Sequence, residues 1–102
     1  QVAAIMAMGG KGSISVLSNI LPEVAHNIAA KYLEGDFIGG RNLQLEYLDL
    51  CNNLFIDVNP IPVKEAMNMM GMDVGECRLP LYKMDDAAKA VLRASLAKHG
   101  LV

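Results

Sequence analysis

The chain has 102 residues, of which 53% are hydrophobic and 20% are charged, and its net charge at pH 7 is −2. This composition excludes an intrinsically disordered chain, because such chains combine low hydrophobicity with high net charge. No Lys/Arg cluster offers a footprint for nucleic acid, and two cysteines, Cys51 and Cys77, are too few for a disulfide framework, which favours a reducing, cytoplasmic setting.

The beginning of the chain predicts a helix followed by a single strand. Val2 to Met8 consists mostly of strong helix formers, stops at Gly9-Gly10, and is far too short to span a membrane. Ser13-Ile14-Ser15-Val16-Leu17 alternates polar and apolar residues, which favours a strand. A lone strand leaves its backbone polar groups unsatisfied once buried. Its neighbours are therefore expected in a partner chain or in sequence before Gln1, where the uncapped helical opening suggests a cut end.

Four further helices are predicted, each with a start or stop signal. Pro22 suits the first turn of a helix that runs to about Leu33, and Gly35 ends it. Asp36 caps a longer helix with apolar residues at helical spacing as far as Leu54. A short helix follows Asn59-Pro60-Ile61-Pro62, and a last one begins at Asp85 or Asp86 and ends at Gly100. The chain is therefore predicted to be mainly α-helical with one strand.

Candidate catalytic groups are few. The Gly9-Gly10-Lys11-Gly12-Ser13 segment fails the phosphate-loop pattern, because Gly12 stands where Ser or Thr must follow the lysine. Lys11 is expected in a solvated loop, and Lys64 lies beside Glu65, which favours its charged, non-nucleophilic form. The two histidines, His26 and His99, lack metal-ligand spacing, and His99 is interpreted as a residue that interacts with a helix C-terminus. From the residues alone we predict no catalytic residue and no metal site.

Three segments carry more specific information. The first is Gly9-Gly10-Lys11-Gly12-Ser13-Ile14-Ser15-Val16 with Asn19 three residues later, and the second is Asn59-Pro60-Ile61-Pro62-Val63-Lys64. The third is Arg78-Leu79-Pro80-Leu81 with Lys98-His99-Gly100-Leu101 near the end of the chain. In order and spacing they resemble the dihydrodipicolinate synthase family, in which the first segment is the eighth barrel strand. Ser13 replaces the usual Val, and Gly39-Gly40 stands where helix formers are common.

The resemblance implies a cytoplasmic, homotetrameric (β/α)8 TIM-barrel lyase of lysine and diaminopimelate biosynthesis. Such an enzyme condenses pyruvate with aspartate semialdehyde through a lysine Schiff base, yields 4-hydroxy-tetrahydrodipicolinate, and needs no cofactor or metal. The family's Schiff-base lysine, proton-relay tyrosine and threonine-rich loop all precede Gln1, so this chain is expected to be inactive alone. Ile14 is the only pyruvate-contact position that carries over. Its other interpretation is packing in the barrel core.

The resemblance also predicts the domain organisation. A complete barrel takes roughly 250 residues, so residues 1–34 are expected to form only its end, with the last strand at 13–17 and the last helix at about 22–34. Residues 35–102 are expected to form a C-terminal helical domain, and Val2 to Met8 lies near the family's subunit contacts. Two alternatives remain: a related 2-keto-acid or sugar-acid aldolase of the same superfamily, and a non-catalytic helical interaction module. No nucleic-acid or membrane partner is expected, whereas homo-oligomers are.

Overall fold

The structure, a computed structural model, describes residues 1–102 and contains only helices. It divides into two compact units, Gln1–Leu48 (unit 1) and Asp49–Val102 (unit 2). No helix combines the length and the hydropathy that crossing a bilayer requires. The helices are α1 (Val2–Ala7), a 3-10 helix (Leu17–Asn19), α2 (Pro22–Leu33), α3 (Phe37–Glu46), α4 (Leu48–Asn53), α5 (Ile61–Met69) and α6 (Asp86–Lys98).

The strand predicted at residues 13–17 is absent, so this prediction is wrong for the chain as it stands. Residues 11–15 have no regular secondary structure, Val16 has helical dihedral angles, and Leu17 begins the 3-10 helix. The physical reason is that a lone strand has no partner for its backbone hydrogen bonds. A strand is held by hydrogen bonds to a neighbouring strand, and the chain contains no second strand.

Unit 1 is organised around α2, which packs against α1, the 3-10 helix and α3. Pro22 occupies the first turn of α2, and Gly35 follows its end with φ of 88°, as predicted. The first turn of α1 is tied to α3, because Ala3 N donates to Gln44 Oε1 over 2.7 Å. The buried apolar side chains of unit 1 are Met6, Leu17, Ile20 and Ile28.

The paired glycines in α3 have a packing reason. A Cβ on Gly40 would overlap the ring of Tyr32, so glycine allows α3 to approach α2 closely without displacing that ring. A Cβ on Gly39 would meet the Asp36 carboxylate, whose Oδ1 accepts the Gly39 N–H over 2.9 Å and caps α3. The helix-weakening cost of two glycines is therefore offset by close helix packing and by an N-cap.

The long helix predicted from Asp36 to Leu54 is interrupted at one residue. Tyr47, with φ of −103° and ψ of 11°, ends α3, and α4 begins at Leu48. After the break the predicted apolar stripe faces inward, since Leu50 and Leu54 are fully buried. The break coincides with the boundary between the two units. The predicted domain boundary after residue 34 refers to a barrel and stays a prediction.

Unit 2 contains a short helix, α5, and the longest helix, α6, which pack against each other. Asp85 caps α6, because its Oδ1 accepts the Ala88 N–H over 2.8 Å. The loop after α5 is fixed by Asn68, whose Oδ1 accepts the Val74 N–H and whose Nδ2 donates to the Gly75 carbonyl. The fully buried large side chains of unit 2 are Leu50, Leu54, Pro62, Leu92 and Leu96.

One carboxylate in unit 2 receives donors from the end of α6. Ser95 Oγ donates to Asp49 Oδ2 over 3.0 Å, and His99 Nε2 lies 2.9 Å from Asp49 Oδ1. Lys98 Nζ lies 3.5 Å from Oδ2. The hydrogen bond to His99 is the largest of the effects that lower the pKa of Asp49 from its ordinary 3.8 to about 2. The carboxylate therefore stays ionised well below pH 4.

Replacing Asp85 with alanine is expected to lower the free energy of unfolding by about 1 kcal/mol, because it removes the N-cap of α6. Urea unfolding at neutral pH measures the effect. Asp85→Asn is the matched control, since asparagine caps helices as well as aspartate does. Equal losses in the two variants would contradict a capping role.

The ionised Asp49 is expected to make stability depend on acid pH. Because its pKa is lower in the folded chain, its contribution is fully present above about pH 4 and is lost as pH falls towards 2. Its side chain is 34% exposed, so we expect the loss to be roughly 1–2 kcal/mol after screening. Urea unfolding between pH 6 and pH 2 should show this loss in the native chain and not in Asp49→Asn. Parallel pH profiles for the two proteins would contradict it.

Candidate functional site

The candidate site from the sequence is the glycine-containing segment that leads to Ile14. Gly9 adopts φ of 98° directly after α1, and no backbone hydrogen bond within the chain joins residues 11–14. Ile14 has a relative exposure of 109%, although it is a large β-branched residue. The segment thus presents an apolar side chain and unpaired backbone groups together. The predicted contact of Ile14 with substrate stays a prediction.

The two lysines considered as nucleophiles lie in different surroundings. Lys11 is exposed in the irregular segment. Lys64 is half-buried on α5, and its Nζ donates to the Glu76 carbonyl over 2.9 Å. A nucleophilic amine must be unprotonated, which desolvation or a cationic neighbour promotes. Neither lysine has such surroundings, because one is solvated and the other donates to a carbonyl oxygen.

Unit 2 contains an open cavity of about 570 Å³ beside α5. Its charged wall is largely neutralised: Lys83 Nζ lies 2.8 Å from Glu76 Oε1, and Lys89 Nζ lies 3.8 Å from Glu65 Oε1. The hydrogen bond to Glu76 raises the pKa of Lys83. Lys83 is therefore held as an ammonium ion, which suits ion pairing and not nucleophilic attack. The remaining lining residues are Ile61, Lys64, Asn68, Gly75, Cys77, Leu79, Leu81, Tyr82 and Met84.

The cysteines and histidines do not form a reactive or metal-binding cluster. Both Cys51 and Cys77 are free thiols and half-buried. Burial raises the pKa of Cys51, which lowers the fraction of reactive thiolate at neutral pH. No group of three or more His, Cys, Asp or Glu side chains is placed to hold a metal ion.

The contacts of Asp49 could not be read from the sequence. Ser95 and His99 are four residues apart on one helix face, but Asp49 is 46 and 50 residues away from them. The sequence analysis predicted correctly that His99 lies at the end of the last helix, but it did not predict that His99 contacts a carboxylate.

The order of the contacts around Asp49 also differs from that of a catalytic triad, in which the histidine lies between the serine and the acid. Here the carboxylate lies in the middle, so the serine is not activated.

The chain is similar to known proteins over almost its whole length. The model of the dihydrodipicolinate synthetase family matches residues 1–99. The 4-hydroxy-tetrahydrodipicolinate synthase of Clostridium perfringens is 52% identical over the whole chain, which spans 35% of that protein. Dihydrodipicolinate synthase from Aquifex aeolicus is 42% identical, with a TM-score of 0.94 over 97% of this chain and 34% of that one. The chloride-inhibited synthase of Acinetobacter baumannii, solved in complex with pyruvate, is 33% identical, with a TM-score of 0.92 over 98% of this chain and 34% of that one.

These matches confirm the resemblance that three short segments carried in the sequence. The chain spans about a third of the length of the relatives it matches. The match to the family nevertheless runs through almost every residue, including the glycine segment before Ile14 and the end of α6. The chain therefore belongs to the dihydrodipicolinate synthetase family.

Proposed function

We propose that this chain is the C-terminal part of a 4-hydroxy-tetrahydrodipicolinate synthase. The enzyme would be a lyase that condenses pyruvate with aspartate semialdehyde in lysine and diaminopimelate biosynthesis. The observation that carries the proposal is the continuous match, over the whole length of the chain, to relatives with that activity. The chain covers only part of those relatives, so the activity belongs to the longer protein and not to these residues alone.

The segment at residues 11–14, which has no backbone hydrogen bond within the chain, supports a place at the end of a (β/α)8 barrel. Neighbouring strands would supply the hydrogen bonds that its backbone lacks here. In this arrangement residues 13–17 are the last barrel strand, α2 is the last barrel helix, and residues 35–102 form the appended helical domain. The same pairing would bury the fully exposed Ile14 side chain.

The surroundings of the lysines support a Schiff-base nucleophile outside this chain. Schiff-base formation begins when an unprotonated amine attacks the carbonyl carbon of pyruvate, and water then leaves. Lys11 is exposed and Lys64 donates to a carbonyl oxygen, so neither is prepared for that attack. In the proposed enzyme no metal or organic cofactor takes part, because the imine itself is the electron sink.

Ile14 is the residue of this chain that we assign to the pyruvate site. Barrel enzymes carry their active sites at the carboxyl ends of the strands. Ile14 is the second residue of the proposed strand at residues 13–17, so its assignment to the pyruvate site rests on the family resemblance and not on its position in the strand. There its side chain would form an apolar wall beside bound pyruvate. Packing in the barrel core is the competing role, and both require the side chain to be buried.

Exposed apolar side chains support a homo-oligomer. Met8 at the end of α1 is 82% exposed, and Phe37 and Ile38 on α3 are 58% and 65% exposed. Apolar surface of this kind marks contact with other protein. We assign it partly to the barrel and partly to a second copy of the enzyme. The free thiols suit a cytoplasmic location, where cysteines remain reduced.

Borohydride trapping tests the assignment of the nucleophile. The complete gene product treated with pyruvate and borohydride is expected to retain one reduced pyruvate adduct on a lysine before Gln1, detectable by peptide mass spectrometry. The 102-residue chain alone, and the complete protein without pyruvate, are the controls and should remain unmodified. An adduct on Lys11 or Lys64 would contradict the proposal. Turnover with another aldehyde, but not with aspartate semialdehyde, would instead assign a related aldolase.

Substitution of Ile14 distinguishes its two roles in the complete enzyme. Ile14→Ala is expected to raise the KM for pyruvate roughly tenfold, because an apolar contact in a pocket contributes about 1–3 kcal/mol. Ile14→Val keeps the β-branched shape and should change KM little. Steady-state kinetics and the melting temperature are measured for both variants. A lower Tm with an unchanged KM would assign Ile14 to core packing.

A further inference from the structure

The contacts of Asp49 join the two ends of unit 2. Asp49 is the first residue of that unit. Its partners Ser95 and His99 lie near the end of the chain, 46 and 50 residues later. A contact over that separation closes nearly all of unit 2 into one loop. One carboxylate at the start of the unit therefore contacts two side chains near its end.

Both elements that meet at Asp49 are weak by themselves. With six residues, α4 is far shorter than a helix that is stable in isolation. The last turn of α6 carries carbonyl groups without intrahelical partners, as every helix C-terminus does. Two of these carbonyl groups accept hydrogen bonds from the residues that follow: Gly100 N donates to Ala97 O and Leu101 N donates to Leu96 O, each at an N···O distance of 3.0 Å. Each end therefore depends on support from elsewhere in the unit.

The charges at this junction suit both helix ends. Asp49 lies in the first turn of α4, where a negative charge is favourable, and Lys98 lies in the last turn of α6, where a positive charge is favourable. The His99 side chain is only 7% exposed, so its bond to the carboxylate is shielded from water. On the α4 side, the neighbouring titratable group is the half-buried thiol of Cys51, and burial and the charge of Asp49 both contribute to raising its pKa. One carboxylate thus serves two helix termini.

We propose that Asp49 is a latch that makes the first turn of α4 and the C-terminal turn of the chain open and close as one unit. The latch adds polar contacts to the apolar core, to which the fully buried Leu50 and Leu96 contribute directly beside Asp49 and Ser95. Losing the latch is expected to loosen both ends together while α5 and the body of α6 remain folded. Local opening of this kind is set by the few contacts that hold a segment.

Hydrogen–deuterium exchange of the full chain, read by mass spectrometry at neutral pH, tests the latch. In Asp49→Asn, peptides covering residues 48–54 and 95–102 are both expected to exchange roughly tenfold faster, because hydrogen bonds to a charged group are lost. The peptide covering α5 should accelerate less than either end, since it feels only the loss of global stability in Asp49→Asn. Asp73→Asn is the charge-matched control, since Asp73 is exposed in a loop of the same unit and should leave both ends protected.

Ser95→Ala gives a milder, independent test. It removes one of the hydrogen bonds to Asp49 and keeps the contact with His99, so a smaller acceleration is expected at both ends together. Acceleration at only one end in either variant would overturn the latch, as would unchanged exchange in Asp49→Asn. Equal acceleration of α5 would also overturn it, because the effect would then be global. If Asp49→Asn does not fold, Ser95→Ala decides the question.

Discussion

Backbone hydrogen bonding is the constraint on which the interpretation of unit 1 depends. The N–H and C=O groups of a buried segment must be paired, and residues 11–14 have no backbone partner within the chain. In the chain as it stands these groups face solvent together with the fully exposed Ile14. The helices on either side nevertheless form and pack, because α-helices satisfy their own backbone groups. Unit 1 therefore keeps its helices and lacks a sheet.

Unit 2 meets the same constraint without help from outside. Its helices satisfy most of their own backbone groups, Asp85 caps α6, and Asn68 pairs with the backbone of the loop after α5. No buried side-chain nitrogen or oxygen atom in the chain lacks a hydrogen-bond partner. Asp49 adds a contact between the ends of the unit. Unit 2 also contains an irregular stretch, residues 82–84, that no backbone hydrogen bond joins, but its loop after α5 is held by side-chain contacts that residues 11–14 of unit 1 lack.

Local signals predicted most helix boundaries correctly. Pro22, Asp36 and Asp85 start helices where expected, and Gly35 and Gly100 follow helix ends with positive φ. These residues act through their own side chain or their own dihedral angles, so a helix boundary can be predicted from the few residues around it. Boundaries of this kind need no knowledge of the rest of the fold.

Features that depend on distant residues were missed or misjudged. The break at Tyr47 has neither glycine nor proline to announce it, and it coincides with the boundary between the units. The carboxylate partner of His99 lies 50 residues away. The alternation at residues 13–17 is a real strand pattern, but a pattern forms a strand only when a neighbour is present. Each of these features depends on residues that are distant in the sequence, so the pattern of neighbouring residues does not predict it.

The lysines show why the reaction was assigned by family membership and not by the geometry of this chain. Schiff-base chemistry requires an amine that has lost its proton, and carboxylate or carbonyl acceptors favour the protonated form. Two amines beside the unit 2 cavity are already engaged: Lys83 pairs with the Glu76 carboxylate, which raises its pKa, and Lys64 Nζ donates to the Glu76 carbonyl. Their electrostatics suit a folded, ion-paired surface. In the proposed enzyme this chain therefore contributes shape and one apolar contact, while the reacting amine is contributed by sequence whose surroundings can keep it neutral.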